Sequence, residues 1–325
     1  VGEFIVDADV LARTRFGTSQ LAETLSGLVI LRTPDVRPWH RTWREAHTDA
    51  FRDRLADDPV AAALLRQAFG RTWTADFLTV PPTAPDLTLD EELGYLESLD
   101  DDRIRADLEF TSGPLPPELT ASGLAGTAAE LMRWVWSQTI AAEWDRRLRV
   151  LRADVVSRTA RLSREGWSGA LDGIGPGVRW LAHGRLQLNP HPYPPRDIRG
   201  RDLLLLATHS RGSWVSWRLP DTYALVYPVT GVFASAPAPL PEPLARLLGR
   251  NRARILSRLA TPTSTSALVA ETELPLGSVA GHLRVLLDAG LLERRRSGRE
   301  VLYWRSATGQ ALVEAPGGDA APLPH

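Results

Sequence analysis

The stretch Ser235-Ala236-Pro237-Ala238-Pro239-Leu240-Pro241-Glu242-Pro243 places proline at every second position. Proline lacks the amide donor that a helix interior or a central strand needs, so neither element can run through it. The spacing predicts a semi-rigid linker over 235–243. At 325 residues the chain is long enough for a sizeable core on one side of that linker and a smaller one on the other. The expected organisation is an N-terminal α+β domain over 1–234, a small module over 244–313 and a disordered tail over 314–325, rich in Gly, Pro and Ala.

The two sides differ in charge. Residues 244–313 hold eleven arginines against five acids, a net +6, whereas the whole chain carries −1 and the remainder is therefore −7. A basic module joined to an acidic one fits a protein that sets one end on a polyanion, the plainer alternative being uneven solvated surface. All 38 basic side chains are arginine. That usage suggests a GC-rich, actinobacterial-type genome and does not by itself signal nucleic-acid binding. With no cysteine, disulfides and thiolate metal sites are excluded. No apolar run approaches the ~20 residues that cross a bilayer, and Val1-Gly2-Glu3-Phe4 lacks a secretory layout, so the expected compartment is the cytoplasm.

Upstream of the linker the pattern is first helical. Ser19 is placed to cap a helix over 20–31, apolar residues recur at helical spacing over 39–55, Asp58 is placed to cap 59–69 and Thr88 to cap 89–99. A long helical stretch is expected from Thr127 to about Arg164. From 176 to 233 short apolar runs at 178–181, 186–188, 203–207, 214–219 and 222–227 alternate with Gly, Pro, Asn and Asp and predict a small sheet. The fold class is α+β, with helices first and strands later.

Downstream, Leu244, Leu247, Leu248, Ile255, Leu256 and Leu259 predict one amphipathic helix over 244–260. Ser264, Thr265 or Ser266 caps a short second helix that ends near Thr272. Pro275 starts, and Ser278 is placed to cap, a third helix whose Val279, Leu283, Leu286 and Leu287 share one face, with Gly290 as its left-handed stop. Two helices separated by a tight turn let the first brace the second in a major groove. Strand-like runs at 291–296 and 300–305 then flank Ser297-Gly298-Arg299 as a β-hairpin, with Arg294, Arg295, Arg296 and Arg299 around its tip. On its own such a ribbon is a solvated hairpin; behind a helix-turn-helix it reads as a wing that meets phosphates or enters the minor groove.

The runs Leu247-Leu248-Gly249-Arg250-Asn251-Arg252-Ala253-Arg254-Ile255-Leu256, Leu276-Gly277-Ser278-Val279-Ala280-Gly281-His282-Leu283-Arg284-Val285-Leu286-Leu287-Asp288-Ala289-Gly290-Leu291-Leu292 and Arg294-Arg295-Arg296-Ser297-Gly298-Arg299 resemble the ArsR family of winged helix-turn-helix regulators. Upstream, Asp202-Leu203-Leu204-Leu205-Leu206 and Leu225-Val226-Tyr227-Pro228 resemble the long N-terminal domain, of unassigned role, that precedes this module in many actinobacterial regulators. The resemblance implies double-stranded DNA as partner, a homodimer and a repressor. It implies DNA contacts from Ser264, Thr265, Ser266, Ser278, Gly281, His282, Arg284, Arg294, Arg295, Arg296 and Arg299. Two departures stand out. Ala280 and Gly281 occupy positions where family members commonly carry a hydroxyl or a base, which shifts contacts toward Ser278, His282 and Arg284, and the thiolates of the family's metal sensors are missing.

His40 and His47 fall near one helical face, but two imidazoles do not make a metal site, and no metal or cofactor is expected. Ten of the eleven tryptophans lie upstream of the basic module. They are core residues or walls of a pocket for a flat apolar effector, whose lining the pattern does not identify. No P-loop, Gly-x-Ser-x-Gly or His-Glu-x-x-His motif occurs, and Asp100-Asp101-Asp102 reads as solvated helix surface, so no enzyme is expected. The competing expectation is an interaction or ligand-binding module whose winged helix no longer touches DNA.

Overall fold

The computed structural model describes residues 2–34, 38–71, 73–175, 177–181, 183–189, 193–229, 242–259, 263–272, 274–297 and 300–314. The proline-rich stretch 235–241, the expected tail from 315 onward, and Gly298 and Arg299 at the hairpin tip lie outside them. Internal contacts divide the chain into two compact units, Val1–Thr230 and Gly231–His325.

The first unit opens with β1 (Glu3–Ile5), α1 (Ala8–Arg13) and β2 (Arg15–Gly17). Strands thus precede the helices, contrary to the expected order, because three-residue strands carry no readable alternation. The helical layer follows the caps. In α2 (Gln20–Arg32) the Ser19 hydroxyl accepts from Ala22 N at 2.9 Å, and the helix is buried on nearly every side, with Glu23, Thr24 and Ser26 buried among its apolar residues. Next come α3 (Pro38–Ala56) and α4 (Pro59–Gln67), the latter capped by Asp58 with proline at a tolerated early position. A capping box between Thr88 and Glu91 opens α5 (Leu89–Glu97).

The acidic run supplies caps as well as surface. Asp100, itself exposed, caps α6 (Asp101–Ser112), Asp101 accepts from Gly123 N and Leu124 N at the start of α7 (Leu124–Val135), and Asp102 stays on the surface beside Arg105. The helix expected over 127–164 is interrupted. Trp136–Ile140 widens into a π turn before α8 (Trp144–Leu171), and the Thr139 carbonyl accepts from Trp43 Nε1 at 3.0 Å.

Two four-stranded sheets complete this unit. Strands β3 (Arg179–Leu181), β4 (Arg185–Gln187) and β5 (Arg196–Asp197) join β1 in the order β3-β4-β1-β5. The other sheet, β2-β6-β8-β7, uses β6 (Asp202–Thr208), β7 (Trp214–Arg218) and β8 (Thr222–Pro228), with β6 parallel to β2 and β8 and only β7 antiparallel. Leu203 and Leu205 point into one core with Tyr223 and Leu225, while Leu204 and Leu206 pack with Ala22, Ala224 and Val226 in another. Burial on both faces explains why 203–207 reads as an unbroken apolar run. The fold is α+β, though with two sheets where one was expected.

In the second unit the helix expected over 244–260 is two: α9 (Glu242–Leu248) and α10 (Arg250–Arg258), separated by Gly249 at φ +81°. Only glycine enters that region without steric cost, so the break is local chemistry. Glu242 and Pro243 belong to the first turn of α9 and not to the linker. Then follow β9 (Thr263–Ser264), α11 (Thr265–Thr272), α12 (Leu276–Asp288), β10 (Leu292–Ser297), β11 (Glu300–Arg305) and α13 (Ala307–Glu314). Ile255 and Leu256 from α10 with Leu259 at its C-cap, Leu268 from α11, and Val279, Leu283 and Leu286 from α12 form one apolar core closed by Leu291 and Leu292. The sequence pattern did not predict α13; its Leu312 and Val313 pack on Leu244, Ala245 and Ala253. Among the described residues no helix is long and apolar enough to cross a membrane.

Candidate nucleic-acid interface

Helix α12 begins after Pro275, which carries no side-chain cap; Ser278, expected to cap it, sits inside the first turn with its N–H donated to the Pro275 carbonyl at 2.9 Å. Its hydroxyl oxygen lies 3.4 Å from His282 Nε2, one turn on, so these two half-buried side chains engage each other along the flank. The end is a Schellman stop: Gly290 at φ +69°, with Leu291 N donating to Leu286 O and Gly290 N to Leu287 O, each at 2.9 Å.

Since Val279, Leu283 and Leu286 are buried, the 100° advance per residue turns Gly277, Gly281, Arg284, Val285 and Asp288 outward, and all five are exposed. A Cβ built on Gly277 or Gly281 meets nothing within 4 Å, so the face is open as well as bare. The absence of side chains lets the helix backbone come close to a flat partner. Val285 was not anticipated in this role; its 47% exposure, beside 60% for Leu276, offers apolar contact of the kind that thymine methyl groups accept.

Helix α11 packs against α12 through Leu268, the pairing of a helix-turn-helix. Thr265 is half-buried at its first position; Ser264 belongs to β9, and the side chains of Ser264 and Ser266 lie outside the described residues.

The hairpin has the expected register, with Arg294 opposite Tyr303, Arg295 opposite Leu302 and Arg296 opposite Val301. Arg294, Arg295 and Arg296 are all exposed. The base of the wing is held in three ways. Leu292 and Tyr303 pack on the core, and β9 pairs with β11 through Thr263 and Ser264, fixing the sheet order β10-β11-β9. Arg305 turns inward: Nε donates to Leu256 O at 2.8 Å, Nη2 to Ser257 O and Nη1 to Gln310 Oε1 at 2.9 Å. A guanidinium on the last carbonyls of α10 satisfies orphan acceptors and the negative end of the helix. Arg305 is thus the anchor of the wing and belongs to its structure.

His40 and His47 lie two turns apart on α3, as their spacing predicts. His40 is buried, and His47 packs on the Trp43 ring at 5.2 Å, where burial and the Arg147 charge hold its pKa below the ordinary value against the pull of Glu143.

Two family models match the chain. Residues 247–295 match one described as a helix-turn-helix domain, from α9 into β10, and residues 5–135 match a family of unknown function (DUF5937), the helical layer of the first unit with its first strands. No curated protein and no solved structure matches the chain. The chain therefore carries a helix-turn-helix domain at its C-terminal side, which supports DNA binding by the second unit.

Proposed function

We propose that the protein is a bacterial transcriptional regulator of the ArsR type that binds duplex DNA as a homodimer and acts as a repressor. Helix α12 enters the major groove with Arg284 as its one basic outward side chain, while Arg294, Arg295 and Arg296 meet the flanking backbone or minor groove. The observation that carries this reading is the exposed arginine ribbon fastened by Arg305 and β9 to the edge of a helix pair whose outer face is open. A ribbon fixed that way delivers charge and groove-reading surface as one rigid body, which reduces the ordering cost of binding. Two protomers give a roughly palindromic operator with half-site centres about 34 Å apart. Such a role places the protein with the chromosome in the cytoplasm, and the first unit is read as the sensor of a small-molecule effector.

The test is selection of genomic fragments followed by footprinting, with affinity measured across salt. A specific footprint that weakens steeply, by about a thousandfold between ~50 and ~200 mM salt, is expected for a dimer neutralising about six phosphates. The second reading, a winged helix that serves protein contacts and no longer touches DNA, is the outcome if no fragment is retained at any salt concentration.

A further inference from the structure

The first unit holds a cavity of about 420 Å³, within the usual range for small-molecule sites of ~300–1,000 Å³. Its walls are aromatic: Trp73 meets Phe110 edge-on at 5.5 Å and 80°, and Trp217 at 5.5 Å and 56°, with Tyr95 also lining the space. Its mouth is apolar yet bare. Phe110 is 73% exposed and Leu219 56%, and both border this one cavity, so water covers apolar surface that a ligand would cover better.

Two carboxylates also line it. Asp76 accepts from Trp217 Nε1 at 3.1 Å, and Asp107 accepts from Phe77 N at 3.0 Å, each fixed in place by a neutral donor. Burial, with the Asp107 charge adding to it, lifts the Asp76 carboxyl to about 6, and burial lifts Asp107 as well. The arginines of the site do not reverse this. Arg196 lies over the Trp217 ring at 4.5 Å, and the Arg103 Nη2 donates to Tyr95 Oη at 3.4 Å. Arg218 likewise lies over the Tyr95 ring at 4.3 Å, so a guest that brings positive charge to Asp76 and Asp107 stacks on Trp73 and the exposed Phe110 ring, satisfying carboxylates and rings together.

We propose that this cavity binds a flat organic cation, an aromatic compound with a protonated amine or ammonium group. Only the term effector for that ligand rests on the reading of the chain as a regulator; the binding itself does not.

The test uses the full chain without DNA. Fluorescence anisotropy is followed for proflavine, a flat cation, and for acridine-9-carboxylate, a flat anion of similar size. Saturable proflavine binding is expected, about tenfold or more tighter than the anion, as one desolvated ion pair or cation–π contact supplies. Asp76→Asn should weaken proflavine about tenfold, and Phe110→Ala about threefold by removing one exposed ring. Thermal melting reports whether each variant folds, and because Phe110 is exposed, Phe110→Ala decides the matter where Asp76→Asn does not fold. Lack of saturation by proflavine, equal or tighter binding of the anion, or unchanged proflavine affinity in either folded variant overturns the proposal. Failure here leaves the footprint standing, and a missing footprint leaves this titration standing, so the two readings fail separately.

Discussion

The first unit keeps its important charges inside, and the second displays them. In the first, Glu23 is fully buried and accepts from Arg147 Nη1 at 2.8 Å and His209 N at 3.0 Å, with His209 Nδ1 2.8 Å away, which ties α2 to α8 and to the end of β6. Burial pushes this carboxyl up, but the charges and hydrogen bonds of His209 and Arg147 more than reverse it, to about 2. Arg158, also buried, donates to Asp154 and to the Ala170 carbonyl, and Tyr227 donates to the same Asp154 oxygen. Among the described residues the core of the second unit buries no charged side chain, only Thr272 being polar there, and its arginines, apart from inward-turned ones such as Arg305, point to solvent. Arginine therefore does two kinds of work in one chain. Buried and paired, it makes removal of its partner costly; exposed on a rigid ribbon, it adds little to stability and stays available to a polyanion.

The sharpest way to break this comparison is Glu23→Ala. Stranding buried positive charge should cost the first unit about 3–5 kcal/mol in urea denaturation while leaving the second unit's DNA affinity intact. An equal loss in both would show that the units do not divide the work.

Next is pH. Glu92 is buried and accepts from Ser19 and from Gln20 N at the start of α2, yet burial outweighs those bonds and lifts its carboxyl from 4.5 to about 7. The folded state then holds its proton longer than the unfolded state, so stability falls as pH rises from about 4.5 to about 7 and is flat beyond. Between pH 5 and 8 the loss should be about 2.5 kcal/mol, and Glu92→Gln should remove that share of the slope. Parallel curves for wild type and variant would place the pH sensitivity elsewhere. Glu23, with its lowered pKa, contributes the opposite slope and only at lower pH, between about 2 and 4.5.

In the second unit, Arg294→Ala, Arg295→Ala and Arg296→Ala combined should leave the melting curve unchanged and lower affinity for every duplex about a hundredfold near ~100 mM salt, with a shallower salt slope. A lower melting temperature would move these side chains into the structural class. The smallest effect sharpens the boundary: Arg284→Ala should cost about 1–2 kcal/mol on the preferred operator and almost nothing on random duplex, as read by competition binding.

Local chemistry made much of this legible. Helix starts at Ser19, Asp58 and Thr88 depend on one side chain meeting an amide three residues on, and the stop at Gly290 on one backbone angle, so each can be read from a few letters. The same holds for the alternation that set the wing register and for the periodicity that turned Val279, Leu283 and Leu286 inward. Expectations failed for three kinds of reason: a competing local signal, a remote partner or a short element. Ser278 did not cap because Pro275 had already set the helix start. The long helix after Thr127 opened at 136–140, where Trp43, nearly a hundred residues earlier, takes the Thr139 carbonyl. The strands β1 and β2 are too short to announce themselves.

That a basic winged helix-turn-helix follows a larger acidic unit was readable along the chain, because hydrophobic period, caps and net charge are properties of neighbouring residues. Folding alone set which arginine anchors the wing and which face outward, and brought Asp76 and Asp107 into one cavity with Trp73 and Trp217. Burial and through-space charge depend on what the folded chain places within a few ångströms, and no local pattern encodes that distance.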